Sequence, residues 1–545
     1  MQYYTEHEIN IYPTDICIEY DPLNKTIQNN RALPKDIVYI RDKIIIHIKE
    51  RCKNPIVGIL YIDSNIKYGH YKNILLYRFQ PTDHHYPTFY VPYHAKKGLH
   101  KIYISILLKE WKTTDKFPIG TCIEQIGNVG NEEAEYEHLR HYYQLVYHTW
   151  KIDRTQEKKD EEYMNYLQTQ KEDYCVFSID PEGSKDIDDA FHFRKIEESN
   201  IYEVGIHIAS PSFLLEKDVS RVMERVSTIY LPYRKYNMLP NRYADEWCSL
   251  LEQKKRHALS ILFHFDSNYQ LVSKEIRETI VLNVQQDTYE HFEKYYSNDP
   301  LFQSFMAFSN YFFSRSLDSH QLVEEWMIYT NQQIADSLLS MSFSNVLLRK
   351  HLFTTPIENN NQNSVIHSYI NMRNEKSALY DIYDPNATES QTHSKLKNQY
   401  YTHFTSPIRR SIDFAIHIML RTKKDLYTKE EWMQKIEHIN HFIKKSRKLD
   451  RNCKRLNFLF RCKQMDHNIQ TDGYILEINE YSILVYIPEY HLEEKITIVP
   501  KKFRSIQQSI SMPSYTLYQK LSLRLWVFPS FDSFFEKLQI EICTL

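Results

Sequence analysis

The chain has 545 residues, of which 42% are hydrophobic and 25% charged, with a formal net charge of −2. These values are ordinary for a soluble protein of several domains, and they exclude a disordered chain and a uniformly basic nucleic-acid coat. No apolar run reaches the roughly 18 residues of a membrane-spanning helix, and the first residues lack the apolar core of a signal peptide.

We therefore expect an intracellular protein, most simply a cytoplasmic one, that does not associate with membranes. The eight cysteines are scattered without a Cys-x-x-Cys pair in a chain too large to need disulfide bonds, which predicts free thiols.

In chain order, short extended runs in residues 1–50 and longer ones in residues 51–148 recur at the spacing typical of small β-barrels, the first of them abbreviated. A polar link then leads to residues 149–466, where strands mix with helical periodicity. Within this part, the Asn-rich segment 350–400 predicts irregular structure. Alternation returns in residues 467–545 and predicts a C-terminal barrel, which either binds a single strand or is merely structural.

One acidic stretch stands out, Asp180-Pro-Glu-Gly-Ser-Lys-Asp186-Ile-Asp188-Asp189. The extended runs on both sides place it on a loop between two strands. Four close aspartates repel one another, so that their pKa values should rise unless a cation binds them. A pair of divalent ions, as in two-metal phosphodiester hydrolysis, removes this conflict. The alternatives are an acid-rich exposed turn and a calcium loop, and the position of Gly183 disfavours the calcium loop.

A second stretch, Tyr401-Thr-His-Phe-Thr-Ser-Pro-Ile-Arg409-Arg410, precedes an apolar helical stripe. Thr405 or Ser406 can cap this helix and Pro407 suits its first position, which puts both arginines in the first turn. Cations oppose the helix dipole there, and a bound phosphate would resolve the conflict. The simpler alternative is that one arginine, more readily Arg410, pairs with a surface acid.

Together the two stretches resemble the signatures of the ribonuclease II and ribonuclease R family, which includes the exosome's exonuclease subunit. Further segments that resemble family landmarks are Phe117-Pro-Ile-Gly120, Val204-Gly-Ile-His-Ile-Ala209, Tyr230-Leu-Pro232, Val323-Glu-Glu-Trp-Met327 and Leu347-Leu-Arg349. The resemblance implies a multidomain α+β fold. In it a central RNB catalytic domain (149–466) is flanked by two N-terminal cold-shock OB-fold barrels (1–50, abbreviated, and 51–148) and by a C-terminal OB-fold RNA-binding barrel (467–545).

The resemblance also implies an activity, that of a processive 3′-to-5′ exoribonuclease. Such an enzyme hydrolyses single-stranded RNA with a free 3′ end to nucleoside 5′-monophosphates by a two-metal mechanism. By motif position, two Mg²⁺ ions, for which Mn²⁺ can substitute, would be held by Asp180, Asp186, Asp188 and Asp189. Asp188 and Arg409 would be catalytic, and the RNA would be contacted by Tyr230, as a clamp on the terminal base, and by Arg409, Arg410 and His403.

The chain also departs from the family pattern, with Ser210 in place of an aspartate, Ser411 in place of an aromatic residue and Ile418 in place of an arginine. These changes bear on channel geometry, processivity and final product length. A second hypothesis is therefore a catalytically impaired relative that binds RNA without cutting it. The nearest form within the family is expected to be the stand-alone exonuclease without an endonuclease domain, a monomer that can associate with RNA-decay factors.

Overall fold

The computed structural model describes most of the chain. The described residues are 16–23, 31–63, 66, 68–96, 100–112, 114–295, 299–341, 343–351, 364–374, 377–388, 390–396, 399–464, 469–498, 515–527 and 538–543. They fall into two compact units, one formed by residues 1–146 with 445–545 and one formed by residues 147–444.

The strands, in chain order, are β1 (Ile16–Glu19), β2 (Ile37–Arg41), β3 (Ile44–Glu50), β4 (Ile56–Tyr61), β5 (His70–Tyr71), β6 (Ile74–Pro81), β7 (Phe89–Pro92), β8 (Lys101–Glu110), β9 (Ile119–Asn128), β10 (Tyr174–Asp180), β11 (Asp189–Ile196), β12 (Ile201–Ala209), β13 (Ile229–Leu231), β14 (Arg234–Tyr236), β15 (Lys255–Phe265), β16 (Leu271–Thr288), β17 (Leu347–Lys350), β18 (Leu379–Ile382), β19 (Ile469–Asn479), β20 (Ser482–Ile487), β21 (Leu492–Thr497), β22 (Lys520–Val527) and β23 (Leu538–Ile542).

The helices are α1 (Glu132–Tyr142), α2 (Arg154–Leu167), α3 (Ser212–Leu215), α4 (Val219–Arg225), α5 (Tyr289–Tyr295), α6 (Pro300–Phe312), α7 (Ser319–Ser340), α8 (Ser364–Asn374), α9 (Ser411–Thr422) and α10 (Lys429–Gln464). A short π-helical turn lies at Tyr243–Trp247. Among the described residues, no helix combines the length and the apolar character needed to cross a membrane.

Within the described residues, the first unit contains three sheets. Strands β1, β2 and β3 form a three-stranded antiparallel sheet. Strands β4 to β9 form a six-stranded sheet in the order β4-β8-β9-β7-β6-β5, and a further pairing of β4 with β6 closes it on itself. Strands β19 to β23 form a five-stranded sheet in the order β21-β20-β19-β22-β23. The predicted multidomain α+β fold with barrels is confirmed, whereas the domain boundaries stay predictions.

Parts of the first and last predicted barrels, residues 1–15, 24–30, 499–514 and 528–537, lie outside the described residues. The prediction of irregular structure for segment 350–400 was wrong for residues 364–374 and 379–382, which form α8 and β18, and β18 pairs with β17. Residues 383–388 and 390–396 form no helix or strand, as predicted. Residues 352–363 of that segment, with most of the Asn-rich run, also lie outside the described residues.

The second unit is built on a closed barrel of β10, β11, β12, β15 and β16, in that order. The pairing of β10 with β16 is parallel and the others are antiparallel. Because β10 ends at Asp180 and β11 begins at Asp189, both ends of the acidic stretch are fixed to the barrel. The prediction of a loop between two strands is confirmed.

Aromatic side chains join the barrel to the helices that cover it. The fully buried Trp326 of α7 lies 6.3 Å, between ring centroids, from Phe263 and from Phe265 of β15. Phe305 and Phe308 of α6 pack against the same indole. Burial of such rings contributes about 1.5 to 3 kcal/mol each, so this cluster holds α7 firmly beside the barrel.

A ladder of buried polar side chains crosses one face of the barrel strands. Glu203 Oε1 lies 2.9 Å from His192 Nε2, His192 Nδ1 lies 2.7 Å from His207 Nε2, and His207 Nδ1 lies 2.7 Å from Ser260 Oγ. Ser260 Oγ in turn lies 2.6 Å from Thr279 Oγ1. All five side chains are buried, so each needs a hydrogen-bond partner.

The ladder can be satisfied with both of its imidazoles neutral. The Glu203 carboxylate accepts, so His192 donates from Nε2 and accepts at Nδ1, where His207 donates. His207 then accepts from Ser260. Gly205 makes room for both rings, since a Cβ at this position would lie 2.1 Å from His192 Cε1 and 2.8 Å from His207 Nε2. With both imidazoles neutral, each ring nitrogen in this arrangement therefore acts either as one donor or as one acceptor.

The surroundings of the ladder favour this charge pattern. Burial lowers the pKa of His192, and it lowers the pKa of His207 well below the ordinary value. Burial alone would raise the pKa of Glu203, but the hydrogen bond from His192 and the charge of Arg194 lower it to about 2. Between pH 6.5 and the folded-state pKa values of these histidines, the unfolded chain binds more protons, so folding stability falls as the pH falls.

We expect His207→Gln to reduce this pH dependence. The variant should lose about 1 to 3 kcal/mol of unfolding free energy near neutral pH, because ladder hydrogen bonds are lost. When the pH falls from about 7.5 to about 5.5, the unfolding free energy of the variant should decrease less than that of the wild type, because one titrating imidazole is gone. Urea unfolding at the two pH values measures both effects.

The matched control is His148→Gln, which changes an exposed histidine of the same unit and should keep the wild-type pH profile. The difference between variant and wild-type profiles isolates the ladder from the other titrating groups. An equal decline in His207→Gln and in the wild type would contradict the neutral ladder.

Candidate active site

The acidic loop leaves the barrel at Asp180 and returns at Asp189. Gly183 has φ of 77°, a conformation that glycine adopts without steric cost, and it turns the chain back after Pro181. The backbone N–H of Ile187 donates to Ser249 Oγ at 2.8 Å, and Ser249 Oγ donates to the Lys185 carbonyl at 2.7 Å. The loop is therefore held in a defined shape close to the barrel end.

Asp188 connects this loop to the arginine stretch. Its Oδ1 accepts from the Ile408 N–H at 2.9 Å and its Oδ2 accepts from Arg409 Nε at 3.0 Å. Asp188 is buried, whereas 43% of the Arg409 side chain is exposed. Arg409 also donates to Ser406 Oγ at 2.9 Å, which fixes the guanidinium. One buried carboxylate thus positions the arginine that the sequence singled out.

The two arginines do not lie in the first helical turn, so this prediction was wrong. Helix α9 begins at Ser411, and Arg410 is its N-cap residue with extended backbone, φ −135° and ψ 125°. Pro407 lies in a turn before the helix. The predicted cap by Thr405 or Ser406 is absent, since α9 has no side-chain cap hydrogen bond. The acid Asp413 lies in its first turn, where a negative charge complements the helix dipole, and it accepts from the Ser406 N–H at 2.8 Å.

Backbone hydrogen bonds join the arginine turn to the chain before β13. The Thr228 N–H donates to the Arg409 carbonyl at 3.0 Å, and the Ser411 N–H donates to the Val226 carbonyl at 2.8 Å. Val226 has φ of 63°, which is unusual for a β-branched residue. The same segment continues into the hairpin of β13 and β14, which carries Tyr230.

Arg410 has a structural partner. It lies 2.9 Å from Asp413 Oδ1, and Asp413 is fully buried. Burial raises the pKa of Asp413, and the charge of Arg410 opposes this rise. The expected pairing of one arginine with an acid therefore occurs at Arg410, although the acid is buried, while Arg410 also lines the cavity described below.

Asp186 is held by the hairpin. Tyr230 donates its hydroxyl proton to Asp186 Oδ2 at 3.0 Å, and Lys235 Nζ lies 2.6 Å from Asp186 Oδ1. Lys235 Nζ also lies 2.8 Å from Asp245 Oδ1. Burial alone would lower the pKa of Lys235, but its hydrogen bonds to the two aspartates raise it. Lys235 is thus a charged member of the site.

Electrostatic strain remains at the other aspartates. Burial and the charge of Asp189 raise the pKa of Asp180 to about 8, and its Oδ2 is buried without a hydrogen-bond partner. Burial raises the pKa of Asp188 to about 7 and that of Asp189 to about 6, in both cases against the charge of Arg409. The predicted rise of the pKa values is thus present at Asp180, Asp188 and Asp189.

The predicted site residues come together in one cavity of about 640 Å³. It is lined by all eight of them, namely Asp180, Asp186, Asp188, Asp189, Tyr230, His403, Arg409 and Arg410. Tyr230 is 53% exposed. Burial and the charge of Arg410 lower the pKa of His403 well below its ordinary value, so its ring is neutral. The cavity combines acids, arginines and an accessible aromatic ring.

Other lining residues were not predicted as site residues. Tyr289 follows the end of β16, and because β16 runs parallel to β10 it emerges beside Asp180. Burial and the charges of Asp189 and Asp180 raise the pKa of Tyr289 to about 12. Arg349 and Glu324 belong to segments that the sequence marked without giving them a role. Tyr289 could have been found from its position directly after a strand end, because the ends of parallel strands lie at the same edge of the barrel.

The residues that depart from the family pattern lie away from the cavity wall. Ser210, Ser411 and Ile418 are all buried, and Ile418 packs in the hydrophobic core. None of the three lines the cavity.

The donor set fits divalent cations. Carboxylate oxygens are the preferred protein ligands of Mg²⁺. Asp180 Oδ2 is buried without a hydrogen-bond partner, and a cation would supply one. No three of the four aspartates bring ligand atoms within 4.8 Å of one another, as Asp83, His84 and His85 do in the other unit. Mutual repulsion together with the pairs to Arg409 and Lys235 accounts for this spacing.

Comparison with known proteins gives a consistent result. The profile of the RNB domain matches residues 169–304 and 308–424, and that of the Dis3-like cold-shock domain 2 (CSD2) matches residues 76–144. The probable exosome complex exonuclease RRP44 of Caenorhabditis elegans is 22% identical over 517 residues, which cover 77% of this chain and 53% of that protein. The chain spans about half the length of the curated relatives that it matches first.

Solved structures share the fold. The apo form of Mycoplasma genitalium RNase R has a TM-score of 0.70 at 18% identity and covers 91% of this chain and 92% of its own, and that protein is also solved with ribose methylated single-stranded RNA. Yeast Ssd1, described as a pseudonuclease, has a TM-score of 0.62 at 16% identity and covers 86% of this chain and 74% of its own. With an RNB domain and a Dis3-like cold-shock domain in one chain, the protein belongs to the RNB-domain family of ribonuclease II, ribonuclease R and the exosome exonucleases.

Proposed function

We propose that this protein is a processive 3′-to-5′ exoribonuclease that hydrolyses single-stranded RNA to nucleoside 5′-monophosphates. The observation that carries the proposal is the contact of Asp188 with Arg409, which joins the acidic loop to the arginine turn across 221 positions of the chain. Acids that suit divalent cations and a guanidinium that suits a phosphate thereby face one cavity. Membership of a family of exoribonucleases supports the same activity.

Asp180, Asp186, Asp188 and Asp189 would hold the metal, Mg²⁺ with Mn²⁺ as a substitute. In two-metal sites the bound ions supply an activated water and stabilise the attacking and leaving oxygens. The carboxylates of this chain are already desolvated, so that cations should bind to them more strongly than to exposed acids. Asp188 would also orient the arginine.

Arg409 would bind the phosphate that is cleaved. Two of its guanidinium nitrogens are fixed, by Asp188 and by Ser406, and its side chain remains 43% exposed at the cavity wall. A guanidinium fixed in this way needs no reorganisation as charge develops on the phosphate oxygens, which is the main requirement of electrostatic catalysis. Asp188→Asn should therefore disturb both the metal and the arginine.

Tyr230 would bind the terminal base. Its ring is exposed at the cavity while its hydroxyl is anchored on Asp186, an arrangement that leaves a ring face for stacking. His403, Arg410 and the cold-shock sheets would add contacts to a single strand with a free 3′ end. We expect the protein to act as a monomer that can associate with RNA-decay factors.

The second candidate is an RNA-binding protein that does not cleave. The likeness of the fold to that of a pseudonuclease is one reason to consider this candidate. The ion pairs of Asp186 with Lys235 and of Asp188 with Arg409 also favour it, because they occupy carboxylates that a metal ion would need. Incubation of the purified protein with labelled 3′-tailed RNA, in Mg²⁺ and in EDTA, separates the two candidates. Shortening from the 3′ end in Mg²⁺ alone supports the exoribonuclease, and bound but intact RNA supports the second candidate.

We expect Asp188→Asn to abolish cleavage while RNA binding persists. The rate should fall by more than about 100-fold, because even residues that only orient a metal ligand contribute about 10- to 100-fold. Gel analysis of product length and a binding titration measure the two properties. Glu182→Gln, which changes an exposed acid of the same loop outside the cavity lining, is the control and should behave as the wild type. Wild-type cleavage by Asp188→Asn would contradict the metal assignment.

The two adjacent arginines should differ in effect. We expect Arg409→Met to lower kcat by about 10²- to 10³-fold, the usual cost of losing a fixed donor to the transition state. Arg410→Met should instead lower mainly the unfolding free energy, by about 3 kcal/mol, because it leaves Asp413 buried without its partner. Arg409→Met also removes the partner of a buried acid, Asp188, but in Mg²⁺ buffer a bound cation should replace part of the lost charge, so its loss of stability should be smaller. Single-turnover kinetics and urea unfolding in Mg²⁺ buffer measure these effects. Equal losses of kcat and of stability in both variants would show that the arginines share one role.

Tyr230 offers a separate test of base stacking. In the Asp188→Asn background, we expect Tyr230→Ala to weaken single-stranded RNA binding by about 1 to 3 kcal/mol, whereas Tyr230→Phe should bind nearly as the parent does. Fluorescence anisotropy with a labelled oligonucleotide measures both. Tyr233→Ala, in the turn of the same hairpin but outside the cavity lining, is the control. Unchanged binding by Tyr230→Ala would remove the clamp from the proposal.

A further inference from the structure

We propose that Lys235 is a built-in cation of the active site that positions Asp186 and competes with a divalent ion for this carboxylate. The protein would then bind a divalent ion readily at Asp180 and Asp189, and more weakly wherever Asp186 is needed as a ligand. This inference rests on the proposed metal-dependent function and concerns how the chain itself sets its metal affinity.

The hairpin geometry supplies the first argument. Tyr230 of β13 and Lys235 of β14 are directly paired across the hairpin, so that both side chains project from one face. The Tyr230 hydroxyl contacts Oδ2 of Asp186 and the Lys235 ammonium contacts Oδ1. Both oxygens of one carboxylate are thus occupied by the same hairpin. Asp186 cannot offer an oxygen to another cation without sharing it with one of these groups.

Lys235 is also held in place from its far side. Asp245 lies in the π-helical turn and contacts Lys235 Nζ at 2.8 Å. Asn237 donates to both carboxylate oxygens of Asp245 at 3.1 Å. The same turn is anchored by Tyr243, which is buried and donates to Asp160 at 2.5 Å. The ammonium is therefore fixed between two carboxylates and does not simply swing into solvent.

The distribution of charge supplies the second argument. Asp186 and Asp188 each have a cationic nitrogen at ion-pair distance, Lys235 and Arg409 respectively. Asp180 and Asp189, which are both described, have none, and one oxygen of Asp180 is buried without a partner. At the latter pair a divalent ion meets carboxylates that no cationic nitrogen contacts, although the charges of Arg409 and Arg410 act on Asp189 from a distance. At Asp186 it meets a positive charge that is already in contact with the carboxylate.

The test is a titration of the full-length, metal-free protein with Mn²⁺ by calorimetry, without RNA. We expect Lys235→Met to bind Mn²⁺ about tenfold more tightly at its weaker site than the wild type, because a like charge beside the ligand is gone. The matched control is Arg234→Met, which removes a positive charge from the neighbouring exposed residue of β14 and should leave the isotherm unchanged.

A second variant gives the opposite sign. Asp245→Asn removes the other partner of Lys235, so the ammonium should rest on Asp186 alone, and Mn²⁺ should bind more weakly than in the wild type. General damage to the fold would weaken binding in both variants, so that opposite shifts identify competition. If Lys235→Met does not fold, the Asp245→Asn isotherm still decides, because unchanged or tighter binding there would overturn the inference.

The remaining outcomes distinguish a failure of this inference from a failure of the proposed metal-dependent function. Clear Mn²⁺ binding with identical isotherms for wild type and Lys235→Met would overturn the role of Lys235 and leave the metal-dependent function in place. Weaker binding by Lys235→Met would show that the lysine supports the site as a structural tether and would also overturn the inference. No Mn²⁺ binding by any of the proteins would overturn the metal assignment, and the inference with it.

Discussion

The buried carboxylate of Asp188 is the constraint on which the rest of the site depends. A charge taken out of water costs several kcal/mol unless hydrogen bonds and an opposite charge replace the lost solvent. Asp188 obtains both from a single segment, the N–H of Ile408 and the guanidinium of Arg409. The barrel therefore cannot bury this aspartate without drawing the arginine turn to it. The same contacts thus stabilise the fold and bring the residues of the site together.

The structure also shows how a protein holds four acids close together. Arg409 and Lys235 form ion pairs with two of them, Asp188 and Asp186. Burial still raises the pKa values of Asp180, Asp188 and Asp189. Each protein cation lowers the repulsion that would loosen the loop, and each also reduces the negative charge available to a metal ion. A protein cation that stabilises the metal-free site would therefore lower the affinity of the same carboxylates for a metal ion.

The four aspartates, the two arginines and Tyr230 could be predicted from the sequence, because each of them lies in a short motif that can be recognised locally. The start of α9 could not be predicted, since a helix-start pattern at Pro407 competes with backbone hydrogen bonds of Arg409 and Ser411 to residues far away in the chain. Lys235 was missed because its role depends on a cross-strand pairing with Tyr230 and on Asp186, neither of which is visible in spacing. Tyr289 was missed because it required the parallel neighbour of β10.

The backbone bonds between the arginine turn and residues 226–228 have a mechanical consequence. Thr228 binds the carbonyl of Arg409, Ser411 binds the carbonyl of Val226, and the chain enters the Tyr230 strand one residue after Thr228. The left-handed backbone of Val226, a conformation that costs of order 1 to 3 kcal/mol, is retained at this junction. The arginine turn and the Tyr230 strand are therefore joined through main-chain hydrogen bonds, so that a displacement of one segment is transmitted to the other. The proposed contacts of Arg409 with a phosphate and of Tyr230 with a base would thus be coupled through the backbone.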